Sequence, residues 1–145
     1  MPTETARICR LHWGALLAAG LFLAACSRGS SPSPALRVVV DDQSLKPSVS
    51  STAPGPVRFE VMNQGALEHE LVVLRTDLPA AGLRMHADED TVDEDASGQK
   101  VGEIEDIAPR EQKSETFNLA AGHYVLFCNV LGHYHQGLAI NFEVK

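Results

Sequence analysis

The chain is short of cysteine, of basic residues and of any apolar run long enough to span a bilayer. Its 145 residues include three cysteines, and two of them, Cys9 and Cys26, fall within the first 26 positions. A disulfide framework in the remaining body is excluded, because Cys128 has no second cysteine there to pair with. Twelve Lys and Arg stand against 19 Asp and Glu, a net charge of −7. That balance argues against nucleic-acid binding, since neutralising phosphates takes clustered cations. What the distal cysteine does becomes the central question.

The length allows one domain, or one domain plus a targeting segment. Arg7 and Arg10 precede an apolar stretch from Leu11 to Ala25, of signal-peptide length and short for a membrane span. It ends in Leu23-Ala24-Ala25-Cys26, which resembles a bacterial lipobox, where the signal is cut before a cysteine that carries lipid. The alternatives are an ordinary secretory signal or an N-terminal anchor helix. Ser27–Pro34 has no apolar side chain and reads as a tether. The expected division is a signal over 1–25, a lipid-anchored Ser/Pro tether over 26–35, and one domain over 36–145. Ser27 after the cysteine does not resemble an inner-membrane retention signal. The expected address is the cell envelope, on the periplasmic face of an outer membrane or the outer face of a plasma membrane. Loss of Glu4, Arg7 and Arg10 leaves 10 basic and 18 acidic residues, net −8.

Short β-type runs fill the rest. Leu36–Val40 is β-branched, Val57–Met62 alternates apolar and polar, and Leu71–Leu74 is a continuous apolar run. Ser114–Leu119, His123–Cys128 and Leu138–Val144 follow, punctuated by Pro47, Pro54-Gly55-Pro56, Asn63-Gln64-Gly65, Pro79, Pro109 and Gly132. Seven or eight strands, with one short helix near Leu78–Met85, imply an all-β, two-sheet antiparallel sandwich. Residues 88–95 interrupt the rhythm with six acids in eight positions. Val92 and Asp93 occupy the places where a calcium loop needs an oxygen donor and a glycine, so calcium is a poor fit. The expectation is a solvated, self-repelling loop, with an acidic docking surface as the alternative.

The residues that carry chemistry are His69, Cys128 and His133. Cys128 ends a predicted strand, His133 follows it across Asn129-Val130-Leu131-Gly132, and His69 begins another strand. A thiolate with two imidazoles is soft enough for Cu(I) and nitrogen-rich enough for Cu(II). A lone cysteine is commonly a buried core residue, and Cys-x₄-His alone is a weak signal.

Two longer segments shift that balance. Asn63-x-Gly65-x-x-x-His69-Glu70-Leu71-Val72-Val73 and Gly122-x-Tyr124-Val125-Leu126-Phe127-Cys128-Asn129-x-x-Gly132-His133-Tyr134-x-x-Gly137 resemble the cupredoxin family, the small blue-copper proteins such as plastocyanin, azurin and sulfocyanin-like proteins. The resemblance covers about residues 36–145. It implies a Greek-key β-sandwich with one type 1 copper, and carries over His69, Cys128 and His133 as ligands. Glu70 departs from the His-Asn of plastocyanin and azurin, which puts the side-chain clamp between the ligand loops in doubt. The family's axial Met falls at Leu138, which has no donor atom.

His135 is a candidate extra ligand, which would make a closed S/N₃ site better suited to zinc or non-blue copper. Gln136 and the pair Met85-His86 are weaker candidates, and surface or packing roles are the ordinary reading for all of them. The leading expectation is an envelope electron carrier, not an enzyme, and a monomer. Its electron port is His133 with Val130, Leu131 and Leu138 around it, and its partners are redox proteins met in brief encounters. Copper binding, delivery or storage is the alternative. Relay to a second copper would need a histidine beside Cys128, and Phe127 and Asn129 flank it instead. A Cys–His hydrolase lacks a nucleophile-bearing helix.

Overall fold

The computed structural model describes residues 35–145. The signal segment, Cys26 and the tether over 26–34 lie outside the described residues. Nine strands are present among the described residues: β1 (Leu36–Asp41), β2 (Ser44–Pro47), β3 (Ser51–Thr52), β4 (Gly55–Asn63), β5 (His69–Arg75), β6 (Gln99–Ile107), β7 (Gln112–Leu119), β8 (Gly122–Phe127) and β9 (Ala139–Val144). They form two sheets, in the orders β2–β1–β4–β7 and β3–β9–β8–β5–β6. The sheets are mixed and not purely antiparallel: β1 runs parallel to β4, and β3 runs parallel to β9. A long crossing between sheets can return a strand in either direction, and alternation patterns carry no information on direction.

Alternation explains the faces. Along β4, Val57, Phe59, Val61 and Asn63 are buried while Pro56 and Arg58 are exposed, the period-two signature of a half-buried strand. β5 is buried on both faces. Leu71 and Val73 join the core between the sheets with Phe59, Leu126 and Phe142, while Val72 and Leu74 pack outward against Val92, Phe127 and Tyr134. The outer layer explains the apolar run Leu71–Leu74: both sides of the strand are covered.

The expected helix near Leu78–Met85 is a single 3-10 turn, Ala80–Gly82. A helical turn, α1 (Glu94–Ser97), stands instead in the acidic segment, where Asp93 caps it by accepting from the Ala96 amide at 2.9 Å. The acidic stretch is therefore not a freely solvated loop. Met85 bridges to Val92, which is fully buried, while residues 86–90 between them and Asp95 beyond them face water.

Candidate metal centre

Three elements bring the chemistry together at one end of the sandwich. His69 opens β5, Cys128 follows β8, and His133 sits in the loop from Cys128 to Leu138. That loop closes on itself: the Cys128 amide donates to Leu138 O at 2.9 Å and the His133 amide to Val130 O at 2.9 Å. Gly132 permits the turn between the two ligand positions, at φ +82°, a conformation costly for other residues.

Cys128 Sγ lies 3.6 Å from His69 Nδ1 and 3.4 Å from His133 Nδ1. The three donor atoms fall within 4.8 Å of one another, and all three residues are buried. Metal–sulfur and metal–nitrogen bonds of about 2.3 and about 2.0 Å, set 110–120° apart, place sulfur and nitrogen about 3.5–3.7 Å apart. The spacing found here fits one small ion between the three atoms.

Protonation suits the same role. Burial, then the neighbouring His69, holds His133 below the usual histidine range, so its ring is neutral near pH 7 and keeps a lone pair. Burial pushes the Cys128 thiol up to about 11, so a metal entering at neutral pH must displace that proton. Metal uptake by this site therefore strengthens as pH rises.

Glu70 supplies the clamp that its departure from asparagine had put in doubt. Its amide points at Cys128 Sγ at 3.4 Å, and its Oε1 accepts from the Asn129 amide at 3.0 Å. A register shift between His69 and Leu71 makes this geometry. Such a bulge re-aims adjacent side chains, so consecutive residues can both serve the site.

Burial, followed by repulsion from Glu103, Glu94 and Glu105, pushes the Glu70 carboxyl up from 4.5 to about 7 against the bond from Asn129. Between those values the folded chain holds a proton that the unfolded chain has lost, so stability falls as pH rises through that window. For this partly exposed group the screened effect is roughly 1–2 kcal/mol. Chemical denaturation of metal-free protein at pH 5 and pH 7.5 should show this decline, and Glu70→Gln should flatten it while keeping an acceptor for Asn129. An unchanged slope in the variant would remove Glu70 as its source.

Leu138 is fully buried in the same core as Cys128. It therefore does not belong to the exposed ring expected around His133. Leu131, in the same loop, is 68% exposed, Val130 is half-buried, and His133 itself is 5% exposed. Its Nε2 has no hydrogen-bond partner among the described residues, and no fully buried side-chain nitrogen there lacks one, so this edge reaches the surface. His135 is exposed and turned to Asp90, outside the three-donor group. Gln136 is exposed, Met85 is half-buried beside Val92, and His86 faces Asp93 at 4.0 Å.

Three polar residues at the site carried no sequence signal of their role. Asn63 is fully buried and ties the loop before His69, donating to Leu67 O at 2.7 Å and Ile107 O at 2.8 Å while accepting from the Gly65 amide at 2.8 Å. Its place in the Asn63-x-Gly65 motif was visible, its contacts were not. Asn129 binds the acidic segment to the ligand loop, and Asp42 touches His69 from the turn after β1.

No protein-family model matches the sequence, and no curated protein matches it either. Solved structures do match. Reduced auracyanin from the photosynthetic bacterium Roseiflexus castenholzii is 17% identical, over 78% of this chain and 98% of that one, with a TM-score of 0.57. An azurin from Methylomonas sp. strain J is 18% identical, over 75% and 95%, at 0.52. Rusticyanin variants, one with serine replaced by aspartate and one with methionine replaced by leucine, are 15% identical, over 79% and 80%, at 0.53. At these identities the likeness is one of fold.

Proposed function

We propose that this chain, which has the cupredoxin fold, is a mononuclear type 1 copper protein that carries electrons at the cell envelope. The observation that carries the reading is the buried trio of one sulfur and two nitrogens, spaced for a single ion. Copper bound there supplies a one-electron couple between Cu(I) and Cu(II), both of which accept a thiolate with two imidazoles.

The chain's own residues do the rest. One sheet fixes His69 and Cys128, from its neighbouring strands β5 and β8, and the self-bonded loop fixes His133, so the donors would be held in place whichever state a bound metal takes. The Glu70 amide stabilises negative charge on Sγ. Leu138, buried in the same core as Cys128 and with its carbonyl bonded by the Cys128 amide, would take the place of the family's methionine beside a bound copper. With an apolar side chain and no donor atom there, these residues would favour Cu(I) and a high potential in a bound copper. His133 presents its outer edge next to exposed Leu131 and half-buried Val130, an apolar rim suited to brief docking by a redox partner. The lipobox-like Cys26 and the tether would hold the domain at a membrane surface, as a monomer near membrane-bound partners.

Voltammetry of the copper-loaded protein tests the reading. A reversible one-electron wave is expected, and Leu138→Met should lower its potential. A tenfold gain in Cu(II) over Cu(I) affinity equals about 59 mV, and a shift of at least that size is expected. An unmoved potential would remove Leu138 from the axial position. Tight Cu(I) binding with no reversible wave would instead assign the protein to copper delivery or storage.

A further inference from the structure

Asp42 belongs to none of the motifs and none of the donor positions, yet its carboxylate meets the first histidine. It lies in the turn joining β1 to β2, and its Oδ1 is 3.2 Å from His69 Nε2. The carboxylate is held from its other side by backbone amides. Ala66 donates to both oxygens, at 2.9 and 3.0 Å, and Leu67 donates to Oδ1 at 3.1 Å. Space for it exists only because residue 65 is glycine: a Cβ there would stand 2.0 Å from Oδ1. Both carboxylate oxygens are thus already acceptors for main-chain N–H groups.

Oδ1, which accepts from the Ala66 and Leu67 amides, faces the ring as an acceptor, so the ring nitrogen opposite it carries the hydrogen. That leaves the lone pair of His69 on Nδ1, the atom 3.6 Å from Cys128 Sγ. His69 is fully buried, so no solvent competes for either nitrogen. A carboxylate on the far side of a ligating imidazole also raises the ring's basicity, and its negative charge favours the more positive state of a bound ion.

We propose that Asp42 is a positioning residue that fixes the Nε2–H tautomer of His69 and, through that ring, strengthens the site's hold on Cu(II), opposing the preference set by Leu138. The metal half of this rests on the copper reading above. The tautomer half does not.

The test uses the full chain and two variants, Asp42→Asn, which keeps an acceptor oxygen for the Ala66 and Leu67 amides, and Asp42→Ala. Long-range ¹⁵N–¹H correlations of the histidine rings in metal-free protein should show His69 protonated at Nε2. Asp42→Ala should shift it toward a mixture of tautomers. Titration with Cu(II) and with Cu(I) should then show Asp42→Asn losing about 10–100-fold in Cu(II) affinity and less in Cu(I). The potential should rise by about 59 mV for each tenfold difference between the two losses. A wild-type His69 protonated at Nδ1 would overturn the proposal. So would equal losses for both oxidation states with the potential unmoved, which is what a merely structural Asp42 would give. Should the wild type take up no copper at all, the copper reading fails, and the tautomer comparison alone decides whether Asp42 orients the ring.

Discussion

Cys128→Ser should abolish the intense thiolate-to-copper absorption and most of the copper affinity while leaving the sandwich folded. Cys128 supplies the only sulfur in the three-donor group. A serine hydroxyl does not ionise in the same range, is a harder donor, and makes a shorter bond to its own Cβ, so it falls short of the ion. The fold should survive because Cys128 is a small side chain in a core that both sheets build, with Leu126 and Leu138 among its members. A hydroxyl there can still bond to His69 or His133, which limits the cost in metal-free protein to about 1–2 kcal/mol. Copper titration followed in the visible, with thermal unfolding of the metal-free variant, checks both halves. An intense band that persists in the variant would mean that the sulfur is not a ligand.

Asn129→Ala should loosen the acidic hairpin from the ligand loop. The Asn129 side chain accepts from the Val92 amide at 2.6 Å and donates to Val92 O and Glu94 Oε1, both at 3.1 Å. Gly132 adds a second tie, donating to Asp90 O at 2.8 Å, and His135 pairs with the Asp90 carboxylate. Removing the carboxamide strands the two main-chain groups of a buried valine, at about 1–3 kcal/mol for each group left without a partner. Even the lower part of that range speeds local opening about 5–30-fold. Hydrogen exchange should therefore quicken across residues 85–97 and stay slow in β5 and β8, whose strands pair with each other. Unchanged protection over 85–97 would mean that the hairpin holds itself.

The site was legible where chemistry is written in residue type. His69, Cys128 and His133 are uncommon residues at a recognisable spacing, and the strands that carry them are apolar enough to mark themselves. The surroundings were harder to read for physical reasons. β6 (Gln99–Ile107) is an edge strand carrying Lys100, Glu103, Glu105 and Asp106, with only Ile104 and Ile107 fully buried, so its hydrophobic signal is weak. β2 and β3 are too short to show alternation. Glu70 looked like a lost clamp because residue type alone was compared. The bulge between His69 and Leu71 lets a longer acidic side chain reach the same kind of partner. Asp42 is separated from His69 by 27 positions, and only the pairing of β1 with β4 brings its turn to the loop before β5.

The six acids of residues 88–95 are not spread evenly through solvent. Asp93 caps a helical turn, and Glu94 binds both Asn129 and Lys100, the latter at 2.9 Å. Part of the negative charge is thus committed to holding the wall of the metal site, and Asp88 and Glu89 remain exposed at the tip.

Visible absorption and electron paramagnetic resonance of the Cu(II)-loaded protein test the central claim most directly. A trigonal thiolate–imidazole site should give an intense sulfur-to-copper band together with a small copper hyperfine splitting. A colourless protein that retains zinc, or a large hyperfine splitting abolished by His135→Ala, would contradict it and turn His135 from an exposed partner of Asp90 into a fourth ligand.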